Sequence, residues 1–314
     1  MTHESLETQR ADHIYRMGPE TLTAHSFAVY AGPVARYSKQ VTEPSPPEPG
    51  AVPLTWVVSG RLEQPEVLKG QPPRAGAVPF IRQEQTDEIP PRRAVASWER
   101  ALGHLQAGAD AVLFFEGDPS KPVLTVLPDS RSNRAADPGL AALVRDIVGI
   151  QSRPGEAAQI SAWLAYLRTA RSDDARQAAL RSLVASKSTD WPLLQPALQT
   201  LLASLPPAAG MRSFVTGIVA FGVMQQRWGT QQPDAVDFLC RQFEATQDDG
   251  LAVHQLLTLK LVLNHLSDEA TAVQRQPLRQ RIFQSLKQRA ASGPLAPAVQ
   301  QQYEQIRAAY PGQV

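Results

Sequence analysis

The chain carries one cysteine, Cys240, followed later by His254, and a thiolate beside an imidazole is a nucleophile with its base. Cys240 also falls on a stripe with Val236, Leu239 and Phe243 at i, i+3, i+4 and i+7, where a free thiol acts as a small buried hydrophobe. No oxyanion donor or acidic partner is marked nearby, so the packing reading is preferred. His254 and His265 recur on nearly one helical face. At ~1.5 Å per residue they stand about 16 Å apart, too far for one metal whose bonds to histidine are about 2 Å long. They are expected at a solvated edge or lining a binding groove. Glu116 and Asp118 bracket Gly117, with His104 shortly before in sequence. Two carboxylates and a histidine could serve general acid–base catalysis, whereas carboxylates at a turn ordinarily bond their own backbone. The pairs Asp173–Asp174 and Asp248–Asp249 read as helix caps. No glycine-rich phosphate loop, HExxH or GxSxG pattern occurs, so neither cofactor nor metal is expected.

The elements that would position these groups change character at residues 131–138, where short apolar runs give way to helix-length amphipathic segments. At 314 residues and 43% hydrophobic, the chain exceeds one usual core and is too apolar for wholesale disorder. A net charge of +1 leaves no clustered basic footprint for a polyanion, which argues against nucleic acid as a partner. One cysteine excludes an internal disulfide. Residues 214–224 form the longest apolar run, about half of the ~20 residues a bilayer crossing needs, so no membrane insertion is expected. The start, THESLETQR after Met1, lacks an apolar signal segment. Cytoplasm is the default expectation, and export that for a chain without its native leader.

Residues 26–37 are β-friendly through Phe27, Val29, Tyr30, Val34 and Tyr37, with Gly32 and Pro33 predicting a bend or bulge. A Pro-rich loop covers residues 43–50. Strands are predicted over residues 54–62, 66–70 and 78–82, and a short helix over 94–105. The clearest local signal is a hairpin, with AVLFFE at 111–116 and VLTVL at 123–127 flanking Gly117, Asp118, Pro119 and Ser120. Neither arm alternates strictly with polar residues, so its sheet must be covered on both faces or closed as a barrel.

A first strand of V-A-G-V type, VLKG at residues 67–70 and GADAVLFF at 108–115 together resemble the OB-like β-barrel of bacterial netrin and tissue-inhibitor-of-metalloproteinase-type domains, over roughly residues 23–127. In the inhibitor branch an amino-terminal cysteine reaches the target's metal and disulfides brace the barrel. This chain has neither, and metalloproteinase inhibition is not implied.

Beyond residue 137 the period is helical. Ile160, Trp163, Leu164 and Leu167 form one stripe, and Leu194, Ala197, Leu198, Leu201, Leu202 and Leu205 another. Asp137–Pro138, Asp190 with Pro192, and Pro233–Asp234 suit helix starts, while Gly229, Gly250 and Gly293 suit ends. Pro196 and Pro277 suggest that two helices begin later than their apolar pattern. About eight helices result. SDDARQAALRSLVAS at 172–186 is similar to the second half of a HEAT-like repeat, although no strict internal period is present, and a compact bundle is the rival arrangement.

The resulting fold class is α+β multidomain: an amino-terminal small OB-like β-barrel and a carboxy-terminal all-α antiparallel array, HEAT-like or bundled. Its parts are an extension at 1–22, the barrel at 23–130, a linker and first helix at 131–154, and helices at 155–314. Trp191 and Trp228 fall at helix ends, where partial exposure is expected, and a ridge of Gln226, Arg227 and Trp228 could meet a protein ligand. The favoured function is a non-catalytic scaffold that binds a protein partner through Trp191, Gln226, Arg227, Trp228, His254 and His265 and through the barrel loops. The alternative is a hydrolase using His104, Glu116 and Asp118 at the barrel–helix junction. Self-association through a large apolar face is a third reading.

Overall fold

The computed structural model describes residues 18–42, 54–73, 76–86, 105–118, 120–126, 138–206, 210–267 and 275–313. The chain divides into two compact units at residues 154 and 155. The predicted helix over 94–105 lies, except for Leu105, outside the described residues, as do the Pro-rich loop and His104.

In the first unit, helix α1 (Pro19–His25) precedes six strands: β1 (Ala28–Thr42), β2 (Leu54–Glu63), β3 (Glu66–Lys69), β4 (Ala77–Thr86), β5 (Asp110–Glu116) and β6 (Leu124–Val126). Helix α2 (Pro138–Gln151) follows. Five strands close in the order β1–β2–β4–β6–β5 and back to β1, and β3 continues along β1 where β2 leaves off. Among the described strands β4 and β6 run parallel and the other pairs are antiparallel. This is an OB-like barrel.

β1 makes the closure possible because its two halves pair differently. Residues from Ala28 to Pro33 pair with β5, and from Val34 onward β1 pairs with β2. Pro33, which has no N–H to donate, stands where the strand changes partner, and the bulge falls just after it, between Val34 and Arg36. Gly60 sits where a Cβ would strike the Phe80 ring and the Arg36 carbonyl, so the wall closes tightly there only without a side chain.

The missing alternation in the β5 hairpin arm has both of its possible causes at once. Ala28, Tyr30, Ala111, Leu113 and Phe115 point into the barrel with Val58, Leu62 and Phe80. Val29, Ala31, Val112 and Phe114 point outward and are covered by Leu22 of α1 and by Ala141 and Val144 of α2. Glu66 on β3 accepts two hydrogen bonds from Arg145 on α2, at 2.7 and 2.6 Å, and Gln151 donates to the Glu20 carbonyl. The first helix after the strands therefore completes the barrel unit.

The second unit is α-helical: α3 (Glu156–Thr169), α4 (Asp173–Ala185), α5 (Trp191–Ser204), α6 (Gly210–Met224), a short 3₁₀ turn (Gly229–Gln231), α7 (Gln232–Ala245), α8 (Asp249–Leu266), α9 (Gln276–Ala291) and α10 (Pro297–Ala309). The stripes read from the sequence on α3, α5 and α7 are buried. The packing has a simple rule. α3 meets α4 and α5, α4 meets α6, α6 meets α7 and α8, α7 meets α8 and α9, and α8 meets α9 and α10. The helices that meet are thus one or two places apart in the chain. This is a helical array whose contacts stay local along the chain.

Two boundaries differ from their sequence reading. Gly250 lies in the first turn of α8, because the Asp248 carboxylate accepts the Leu251 N–H at 2.7 Å and starts the helix before the glycine. α5 starts at Trp191 and runs through Pro196, since Pro192 already occupies its first turn and tertiary burial of Leu194, Leu198 and Leu201 holds the rest. No described helix is long and apolar enough to cross a membrane.

α5 is joined to α7 and to the turn before it through aromatic rings. Trp191 packs edge-on to Trp228 at 4.9 Å between centroids and to Phe238 at 5.4 Å. The Trp228 ring rests where any Cβ on Gly222 of α6 would stand. Gly222→Ala is therefore expected to destabilise the array by about 1–3 kcal/mol, the usual cost of forcing an extra carbon into a packed interior. A urea titration followed by tryptophan emission checks this, and an unchanged midpoint would contradict the packing.

Candidate functional site

The acids of the hairpin tip are held by structural partners. Glu116, at the end of β5, pairs with Arg82 of β4, which also donates to the Val126 carbonyl of β6, so this ion pair ties three barrel strands. Asp118 accepts from the Ser120 hydroxyl at 2.7 Å and from its N–H at 2.9 Å, closing the turn. Those bonds, the hydroxyl's first, hold its carboxyl below the ordinary range. Such a carboxylate accepts a proton less readily than a free one, which suits a turn cap better than a base.

Cys240 is fully buried, with its thiol 3.8 Å from the Arg281 carbonyl. Burial pushes it up to about 12, outweighing the nearby Arg281 charge. The same stretch of α7 is clamped to α9 by Arg281, which donates to Asp237 at 2.7 Å and to Glu244 at 2.8 Å. Its guanidinium is pushed above its ordinary value, mainly by the Glu244 bonds and then by Asp237, against the opposing effect of burial. Raised this far by burial, the thiol stays protonated at pH 8. Ellman's reagent at pH 8 is expected to leave the folded protein unmodified and to titrate one thiol after guanidinium is added. Rapid modification of the folded chain would show that the thiol is accessible.

The expected tryptophan ridge is corrected by the structure. Trp191 is 0% and Trp228 5% exposed, because each ring fills the space between successive helices instead of ending at solvent. Arg227 turns inward and donates to the Val184 carbonyl at 3.0 Å and to that of Ala185, at the last turn of α4. Only Gln226 of that trio is exposed, at a backbone φ of 53°. His254 is exposed and lies 3.0 Å from the Ser213 carbonyl, to which its Nε2–H donates. His265 is half-buried near the end of α8, and its carbonyl accepts from Arg275 at 3.0 Å. Among the described residues no three His, Cys, Asp or Glu side chains could together hold a metal ion.

Arg227 and Arg275 belong to a pattern. Arg176 donates to the Ala170 carbonyl that ends α3, and Arg212 to the Leu202, Leu205 and Pro206 carbonyls that end α5. Lys69 donates to the Thr23 and Ser26 carbonyls that end α1. Each cation meets the negative pole of a helix and satisfies carbonyls that the helix leaves unpaired.

α9 carries cations that are used otherwise. Its sequence, QPLRQRIFQSLKQRAA, contains no acid. Gln276, Gln280 and Gln284 recur every four residues, are exposed, and border an open groove of about 670 Å³ with Arg279, Phe283 and Lys287. Gln313, beyond α10, lines it too. The Arg279 guanidinium stands 6.0 Å from the ring centres of both Phe283 and Tyr310, which themselves meet edge-on at 5.4 Å. The rings fix it in place. Among the described residues, neither Arg279 nor Lys287 has a carboxylate partner, and the three glutamine amides make no side-chain hydrogen bond.

This groove is the candidate site, and sequence reasoning missed it. The signal available was the four-residue recurrence of glutamine in a basic segment free of acids. The contributions of Tyr310 and Gln313 required the structure. No known protein family, curated protein or solved structure matches this chain.

Proposed function

We propose that this protein is a non-catalytic binding module whose helical array holds a protein partner. The observation that carries the reading is the α9 groove, where Gln276, Gln280, Gln284 and Lys287 stand exposed beside the ring-packed Arg279 and, among the described residues, none of the five has a carboxylate or side-chain hydrogen-bond partner. Several other arginines of the array instead cap helix ends or fasten one helix to another. Polar recognition is further supported by the scarcity of exposed large apolar side chains. Among the described residues of the array these are Leu193 and Leu257, well separated in sequence, which also disfavours self-association through one broad greasy face. The hydrolase alternative draws its support from Glu116 and Asp118, both of which have structural partners.

The test places a photo-crosslinking residue singly at Leu193, Leu257, Gln280 and, in the barrel unit, Ser120, in the full-length chain expressed in its native cell. One protein species is expected to crosslink from at least one array position and to be displaced by excess unlabelled chain. No displaceable crosslink from any array position would refute the reading. Turnover in a hydrolase substrate panel, lost in Glu116→Gln or Asp118→Asn, would establish the alternative.

A further inference from the structure

Building on the binding-module reading, we propose that the α9 groove holds an acidic polypeptide segment in extended conformation, with carboxylates on residues four apart.

Gln276, Arg279, Gln280, Phe283, Gln284 and Lys287 fall within an arc of about 140° when successive residues are turned by 100°, so all six address one side of the helix. Along that side the three amides are about 6 Å apart, at 1.5 Å per residue. An extended chain repeats every two residues, or about 6.6 Å. Each glutamine offers both an N–H donor and a carbonyl acceptor, the pair that a peptide backbone requires. A row of amides at nearly the peptide repeat can therefore serve successive backbone units of one strand, whatever its side chains.

The cations supply the selectivity. Arg279 and Lys287 are eight residues apart, about 12 Å along the helix. Residues i and i+4 of an extended chain are about 13 Å apart and point the same way. A Glu-x-x-x-Glu segment thus brings one carboxylate to each cation, whereas a three-residue spacing turns the second carboxylate to the opposite face. Arg279 is held over Phe283 and Tyr310, so its fork is oriented before any ligand arrives. Among the described residues that line the groove there is no acid to compete. Its open form and amide row fit a strand better than a compact ligand.

The experiment measures fluorescence anisotropy of fluorescein-labelled nine-residue peptides on the full-length protein. One peptide carries Glu at positions three and seven in a Ser/Thr background, a second carries Glu at three and six, and a third carries Lys at three and seven. The first is expected to bind at least fivefold more tightly than the second, and the third not to bind. Lys287→Glu, which alters an exposed side chain and leaves the ring stack intact, should weaken the first peptide about fivefold. Arg279→Glu with Lys287→Glu should weaken it at least tenfold and confer binding of the Lys peptide, with a thermal melt verifying the fold. Gln280→Ala with Gln284→Ala should weaken the Glu and reversed-charge pairs alike, because backbone contacts ignore side-chain sign.

Equal affinity for both Glu spacings, or no response to Lys287→Glu, would overturn the proposal. Tighter binding of a labelled single-stranded DNA twelve-mer would also overturn it, marking the groove as a polyanion site. If a partner crosslinks from Leu193 or Leu257 while no peptide binds, this inference fails and the binding-module reading stands. If neither is seen, both fail.

Discussion

A helix of 13 to 18 residues in water is marginal by itself, and every helix of the array is of that length. Each persists because its apolar stripe is closed by neighbours one or two places along the chain. Trp191 shows how specific the closure is: its ring belongs to α5, yet it is covered by Trp228, before α7, and by Phe238 within α7. Trp228 in turn occupies ground that Gly222 of α6 leaves open. Inter-helix packing thus comes first, and the placement of polar groups follows from it.

Once stacked, the helices leave terminal carbonyls that the turns cannot all satisfy. Arginines on later elements answer several of them: Arg176 for α3, Arg227 for α4, Arg212 for α5 and Arg275 for α8. In a chain with 31 basic and 30 acidic residues, cations engaged this way are withdrawn from the surface field. The same logic separates Arg281 from Arg279, two residues apart on α9. Arg281 faces Asp237 and Glu244 and fastens two helices, while Arg279 lies against rings and faces an open groove. Near-neutral composition therefore conceals a locally basic face.

The architecture was largely legible in the sequence because periodicity reports burial directly. Ile160, Trp163, Leu164 and Leu167 are buried as their spacing requires, and the strands at residues 54–62 and 111–116 follow their turn signals. What periodicity cannot report is the neighbour. Trp191 and Trp228 sit at helix ends in the chain, a position that suggests solvent until the helix two places away is known. The candidate site was illegible for a related reason. Glutamine is ordinary surface composition, and one of the two rings beside Arg279 belongs to Tyr310, more than thirty residues downstream. Cys240 was readable because one stripe sufficed to bury it.

The barrel has a further consequence. Five strands leave no open rim among themselves, and β3 stands at the end of the strand order with a line of backbone groups that no other described strand takes up. It is four residues long, its glutamate is engaged by Arg145, and its lysine by carbonyls of α1. So short and charged a border is a poor template for a foreign strand, which protects this unit against sheet-to-sheet aggregation as chains accumulate.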